Sequence, residues 1–412
     1  RTEEFPRHPI LGDQEKKAVM EVLDSGNLST FIASQGLYFL GGQKIKEFER
    51  RFAEYHNMKY AVSFNSATAA LHAAVVAVGV NPGEEVITTP YTFTSSATCV
   101  LMHNAVPVFA DITDDIFCLD PQSMEKAITP LTKAIIPVHL FGHIADMDAI
   151  MAVAKKHNLK VIEDCAQAPG AVSQGRLAGT IGDCGIYSFT ENKNIATGEG
   201  GMLVTNDDAI AEAARMVRNH GEMILDSQKV RTYIPNILGW NYRMTEMEAA
   251  LGIVQFGRMD ELNGVRIELA DYLTQAFKNI PGLTPPTVLP NNKHVFYVYP
   301  FRYDEAQTGL SRALFTKALL AEGISCGAGY VRPLYLSPLY HEKKPFAFTH
   351  YQGHASYDQG LCPVTERMHY KELMLFGVVR PPSTKRDMDD IIHAIHKVLE
   401  HKDELIQAKL DS

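Results

Sequence analysis

The sequence predicts an α/β protein: a large domain with a mainly parallel sheet covered by helices, plus a smaller α+β C-terminal domain. Two observations predict it. From Tyr60, short apolar runs alternate with helical stretches for about 200 residues, the pattern of a parallel sheet with helices on both faces. Then the stretch from Pro281 to Pro290, with its four prolines, reads as a boundary into a second unit. The 412 residues suffice for two domains and a large core.

Taken in order, Gln14 to Leu23 carries apolar residues at helical spacing and stops at Ser25-Gly26. Ile45, Phe48 and Phe52 predict a second amphipathic helix after the Gly41-Gly42 turn. The strand runs are Ala61 to Phe64, Val86-Ile87, Pro107 to Phe109, Ala134 to Ile136, Val161-Ile162, Ile186 to Phe189 and Met202 to Val204. Helices are expected over Ala67 to Val78, Pro121 to Ile128, Met147 to Lys156 and Asp208 to Arg218. A polar loop from Gly221 to Leu238 precedes one long helical stretch through Ala249 and Val254 towards Phe277. Beyond the prolines, Val295 to Tyr303 reads as a strand, with helices over Ser311 to Glu322 and Asp387 to Leu399. His341 to Tyr357 lacks periodicity and reads equally as a lid, a substrate loop or a variable insertion.

Hydrophobic residues at 46% and charged residues at 21% are ordinary for a soluble globular protein. A net charge of −9 with no long basic run argues against nucleic acid as a partner. No apolar stretch is long enough to span a membrane and no signal peptide is visible. Six scattered cysteines without a Cys-x-x-Cys pair suit reduced thiols in a cytoplasmic protein. His139 and His143 have the spacing of a helical metal pair. They flank Gly142 after a strand, however, so they read as loop residues near a site mouth, and no metal is expected.

In parallel sheets ligands gather beyond the carboxyl ends of the strands, and the residues there carry the chemistry. Asn65-Ser66-Ala67-Thr68 opens a helix, whose free amides make either a plain capped start or an anion site. Phe93 is a core residue or a stacking face, and Asp164 a helix cap or a buried counter-charge. Ser188 to Gly201 reads as strand, loop, strand, with Lys193 in the middle and Gly198, Gly200 and Gly201 allowing close backbone approach. The stretch fits a surface lysine in a hairpin. It also fits a lysine whose desolvation frees the neutral amine that Schiff-base chemistry needs.

Ser-Phe, then Lys five residues after the Ser, then Gly-Glu-Gly-Gly, resembles the lysine loop of the DegT/StrS family of sugar aminotransferases. These are pyridoxal 5'-phosphate (PLP) enzymes of the aspartate-aminotransferase fold, PLP-transferase fold type I. The resemblance runs in the same order through roughly residues 10 to 400. It implies a PLP-binding domain with an N-terminal arm over 1–265 and a small domain over 266–412. It implies that Lys193 forms the Schiff base with PLP, passing through the PMP form, and moves the proton. Ala67, Thr68 and Ser188 would hold the phosphate, and Phe93 would stack on the ring. Asp164 would pair with the ring nitrogen, and Gln167 would lie near the ring oxygen.

Gly-Trp-Asn-Tyr-Arg-Met (Gly239 to Met244) resembles a family segment whose Asn reaches the phosphate in the neighbouring subunit. By that resemblance Asn241 takes this role, the enzyme is a homodimer with its site at the subunit interface, and Arg243 is a structural or interface ion. Tyr330 to Tyr340 resembles the substrate-side segment, with Gly329 where the family usually has His. The implied reaction moves an amino group, from glutamate in most relatives, onto a nucleotide-linked 3- or 4-keto sugar. Alternatives are a keto-cyclitol (inosose) acceptor, a PMP-dependent dehydratase, a lyase or aldolase, or a non-catalytic scaffold.

Overall fold

The computed structural model describes residues 1, 3–31, 40–222 and 234–410. Helix α1 (Asp13–Ser25) ends on Gly26, whose left-handed φ of 69° is the turn that the Ser25-Gly26 pair predicts. Helix α2 (Gln43–Tyr55) follows Gly42 and buries Ile45, Phe48 and Phe52 along one face.

The apolar runs become β1 (Tyr60–Phe64), β2 (Glu85–Thr88), β3 (Val106–Phe109), β4 (Thr132–Ile136), β5 (Lys160–Asp164), β6 (Cys184–Ser188) and β7 (Gly201–Thr205). All belong to one seven-stranded sheet in the order β1-β7-β6-β5-β4-β2-β3. Pairing is parallel except around β7, which runs antiparallel to both β1 and β6. Between the strands lie α3 (Ala67–Ala77), α4 (Ser95–Met102), α5 (Pro121–Lys126) and α6 (Met147–His157), and α7 (Asp208–Arg218) follows β7.

Alternation along the strands divides the core into two layers. Val62, Phe64, Ile162, Ile186 and Leu203 pack with α3, α4 and α7 on one face. Ala61, Val161, Tyr187 and Val204 pack with α2 and α6 on the other. Helices therefore cover both faces, as the alternating sequence predicts.

Downstream, two expectations change. The long helix expected towards Phe277 is two, α8 (Glu246–Gly257) and α9 (Met259–Phe277), because Arg258 leaves helical geometry at φ −103°. The strand expected from Val295 begins only at Tyr299, because Phe296 has a left-handed φ of 44° that no strand accommodates. Much of the loop expected over Gly221 to Leu238 lies outside the described residues.

A second sheet joins β8 (Leu283–Thr284), β9 (Tyr299–Tyr303), β10 (Gly327–Ala328) and β11 (Leu373–Phe376) in the order β8-β9-β11-β10. Helices α10 (Arg312–Ala321) and α11 (Lys385–Glu400) pack on it through Phe315, Ile391 and Ile395. Helix α9 belongs to both cores: Met259 and Leu262 pack in the first, Leu273 and Phe277 in the second.

The aperiodic 341–357 segment covers edge strand β3. The Tyr340 and Tyr357 rings meet Phe109 at 5.4 and 5.8 Å, and the Tyr357 hydroxyl donates to the Pro107 carbonyl at 2.7 Å. Covering an edge blocks pairing with another chain. No described helix is long and apolar enough to cross a membrane.

Candidate active site

A cavity of about 420 Å³ opens beyond the carboxyl ends of the parallel strands. The chain reaches it repeatedly because the segments after β1, β2, β4, β5 and β6 all meet there, and because reversed β7 begins beside it. Ala67, Thr68, Phe93, Asp164, Gln167, Ser188 and Lys193 all line it.

At one end stands the start of α3. Ser66 caps it, accepting the Ala69 N–H at 3.1 Å, which leaves the Ala67 and Thr68 amides free of helix partners. Hydroxyls gather beside them: Thr68 Oγ1 lies 2.7 Å from Ser95 Oγ, and Ser188 is buried at the end of β6. Gly201 is what lets β7 sit so close. A Cβ there would stand 2.5 Å from the Ser66 carbonyl and 2.6 Å from the Ala67 nitrogen.

Asp164 marks another part of the lining and is buried to 4% exposure. Its Oδ2 accepts from Ser96 Oγ at 2.7 Å and its Oδ1 from the Ala166 N–H at 3.1 Å. Ser96 in turn lies 3.0 Å from the Thr92 hydroxyl. Sequence reasoning missed Ser96, since nothing local ties a serine on α4 to an aspartate 68 positions on.

Lys193 sits in the β6–β7 hairpin, its backbone N–H held by the Thr190 carbonyl at 2.9 Å. Its Nζ stands 4.4 Å from the centre of the Tyr297 ring. Burial pushes the amine down to about 8, against an upward pull from the Asp164 carboxylate. Lys193 is half-buried and lines the cavity, which does not fit the surface-lysine reading. Tyr297 escaped sequence reasoning because its stretch read as a strand.

Phe93 is 59% exposed although it lines the cavity, so it presents a flat apolar face rather than filling the core. The Gln167 amide is engaged on both sides: its Oε1 accepts the Phe141 N–H at 2.8 Å and its Nε2 donates to the Tyr330 hydroxyl at 3.0 Å. Ahead of Tyr330, Gly329 has φ +75°, and a Cβ there would lie 2.6 Å from the His369 carbonyl oxygen. That position is closed to a side chain.

Asn241 is exposed and lies outside this cavity. Its Oδ1 accepts from Arg243 Nε at 2.9 Å, and Arg243 also donates to the Phe31 carbonyl at 3.1 Å.

His139 and His143 correct the expectation of a site mouth, for both are buried. His139 Nε2 lies 2.9 Å from Glu163 Oε2. Burial raises the Glu163 carboxyl, and His139 with the Gly182 and Gly179 N–H groups outweighs it, holding it below its ordinary value. His139, Glu163 and Cys165 bring ligand atoms within 4.8 Å of one another. Both Glu163 oxygens are already occupied by those donors and the Ile181 N–H, so the trio is a hydrogen-bonded brace behind Asp164.

A family model for the DegT/DnrJ/EryC1/StrS aminotransferases matches residues 10–396. GDP-perosamine synthase of Caulobacter vibrioides is 42% identical over 335 residues, 81% of this chain and 85% of that one. Spore coat polysaccharide biosynthesis protein SpsC of Bacillus subtilis is 36% identical over 401 residues, 96% and 97% of the two chains. Among solved structures, Spr1654 of Streptococcus pneumoniae in its PMP form superposes with a TM-score of 0.83 at 26% identity, covering 99% of both chains. The same protein in its PLP form gives 0.82 at 26%, over 97% of this chain and 98% of that one. The match runs nearly end to end and includes the lysine hairpin: the chain belongs to the DegT/DnrJ/EryC1/StrS aminotransferase family, and it is a PLP-dependent transaminase.

Proposed function

We propose that the enzyme takes an amino group from glutamate and places it on the keto carbon of a nucleotide-linked 3- or 4-keto sugar, with PLP held on Lys193. One observation carries this reading: a single cavity joins a lysine of depressed pKa, a buried carboxylate and the free amides of a helix start. The similarity to GDP-perosamine synthase supports the nucleotide-linked acceptor.

The residues present fit the cofactor. The start of α3 suits a phosphate bound by its free backbone amides and the Thr68 and Ser188 hydroxyls, all on the cavity lining. Phe93 would offer the face for a flat ring, and Asp164 would pair with a protonated ring nitrogen. When bound, PLP supplies a carbonyl that captures amines and an electron sink for the α-carbon they carry.

The chain's own part is positioning and proton transfer. Burial keeps part of the Lys193 population neutral near pH 7, so its amine can attack without a separate base. Once released, Lys193 takes the proton from the donor's α-carbon and returns it on the other side of the transfer. Asp164, held in place by the Ser96 hydroxyl and the Ala166 N–H, would be the carboxylate that faces the ring nitrogen. Asn241 serves the cavity of a second copy, which makes the enzyme a homodimer; its position outside its own cavity supports this.

The test is an absorbance spectrum of the protein with PLP, before and after glutamate. A visible band that collapses to the pyridoxamine form is the expected result. A band indifferent to glutamate would remove glutamate as donor, and no band would remove the cofactor reading.

A further inference from the structure

Asn65 stands at a junction between two parts of the chain. It lies between the end of β1 and Ser66, the cap of α3, two residues before the free amide of Ala67. Its own N–H donates to the Tyr242 carbonyl at 2.9 Å, and its Nδ2 reaches the Asn241 carbonyl at 3.5 Å. The backbone that presents Asn241 is therefore hung on the start of α3 in the same chain.

A second contact ties the same elements two turns further along. His72 is buried on α3, and its Nδ1 lies 3.1 Å from the Tyr242 hydroxyl. The Trp240 ring meets the His72 ring edge-on at 4.5 Å and stacks on Tyr242 at 5.8 Å. Trp240 and Tyr242 thus rest on α3, while Asn241 between them is exposed.

A phosphate held by the first turn of α3 orders the residues beside it, Asn65 included. What fixes Asn65 also fixes the Asn241 backbone. Ordering a segment costs conformational entropy. Once one ligand has met that cost, a second ligand that needs the same segment binds more tightly. In a twofold dimer the effect runs both ways, since each chain's α3 steadies the Asn241 that its partner's cavity receives.

We propose that the two cofactor sites of the dimer are coupled through the Asn65–Asn241 and His72–Tyr242 contacts, so that PLP in one cavity raises the affinity of the other. This rests on the reading that Asn241 serves the cavity of a second copy.

The cofactor-free, full-length dimer is titrated with PLP. The visible band gives occupancy, and the fluorescence of Trp240, the chain's single tryptophan, reports on the link itself. A sigmoidal curve is expected, the second equivalent binding about fivefold more tightly than the first or better, with Trp240 emission shifting as the sites fill. The double variant Asn65→Ala/Tyr242→Phe removes the two side-chain contacts and touches no residue of the cavity lining. It should remain a dimer by sedimentation and bind PLP with a curve close to hyperbolic. A hyperbolic curve for the wild type would overturn the coupling. A sigmoidal curve that the double variant leaves unchanged would overturn this route for it. Asn241→Ala separates the proposal from the reading beneath it. Wild-type PLP affinity in that variant would remove Asn241 from the second cavity, whereas weakened affinity beside a hyperbolic wild type would keep the shared site and strike only the coupling.

Discussion

Burial takes Lys193 down to about 8 while Asp164 pulls the other way, so the two residues set each other's chemistry. Capture of PLP by the cofactor-free protein needs the neutral amine. Its rate should rise about tenfold per pH unit below 8 and level off above, as followed by the growth of the visible band in stopped flow. Asp164→Asn removes the upward pull, so the level region should begin at lower pH while glutamate turnover is lost. Lys193→Ala should keep the fold and bind PLP without the visible band, and should show no amino transfer in a coupled assay; an active variant would remove Lys193 from the mechanism. At this scale, the sequence placed Asp164 at the end of a strand and Lys193 in the loop after another, and both positions line one cavity. Ser96 and Tyr297 were hidden, because their roles depend on contacts between segments far apart in the chain.

Elements were legible wherever one periodicity persisted, as in β1 to β7 and α7, whose apolar faces are buried as their spacing requires. Legibility failed where one residue breaks a pattern that its neighbours continue: Phe296 with positive φ, and Arg258 between two helices. The 341–357 segment left its role open because aromatic side chains without period can cover an edge or a site. Here they cover β3, and no residue of the segment lines the cavity. Tyr357→Ala should therefore cost about 3 kcal/mol of stability in urea unfolding, with the Michaelis constants unchanged at a temperature where the variant is folded. At the start of α3, Gly201→Ala forces a Cβ against the Ser66 and Ala67 backbone. A cost of about 1–3 kcal/mol is expected, along with a raised PLP dissociation constant by equilibrium dialysis. Ser66→Ala removes only a cap and should cost about 1 kcal/mol.

At the scale of the whole molecule, the proposed shared site predicts complementation. Lys193→Ala and Asn241→Ala are each expected to be weak or inactive alone. Co-refolded, their mixed dimer would hold one cavity with Lys193 from one chain and Asn241 from the other, and activity should return. Activity that stays absent would place each Asn241 with its own chain. The reversed direction of β7 has a further consequence, in time rather than in space. The lysine hairpin reaches the α3 amides only when Tyr60 to Phe64 pairs with Gly201 to Thr205. That contact closes a loop of about 140 residues, among the slower events available to a folding chain. Helices form early, so in a refolding experiment far-ultraviolet signal should recover first and trapping of PLP should lag behind it. The cofactor's colour then works as a clock, started by dilution from denaturant and struck when the last distant strand arrives.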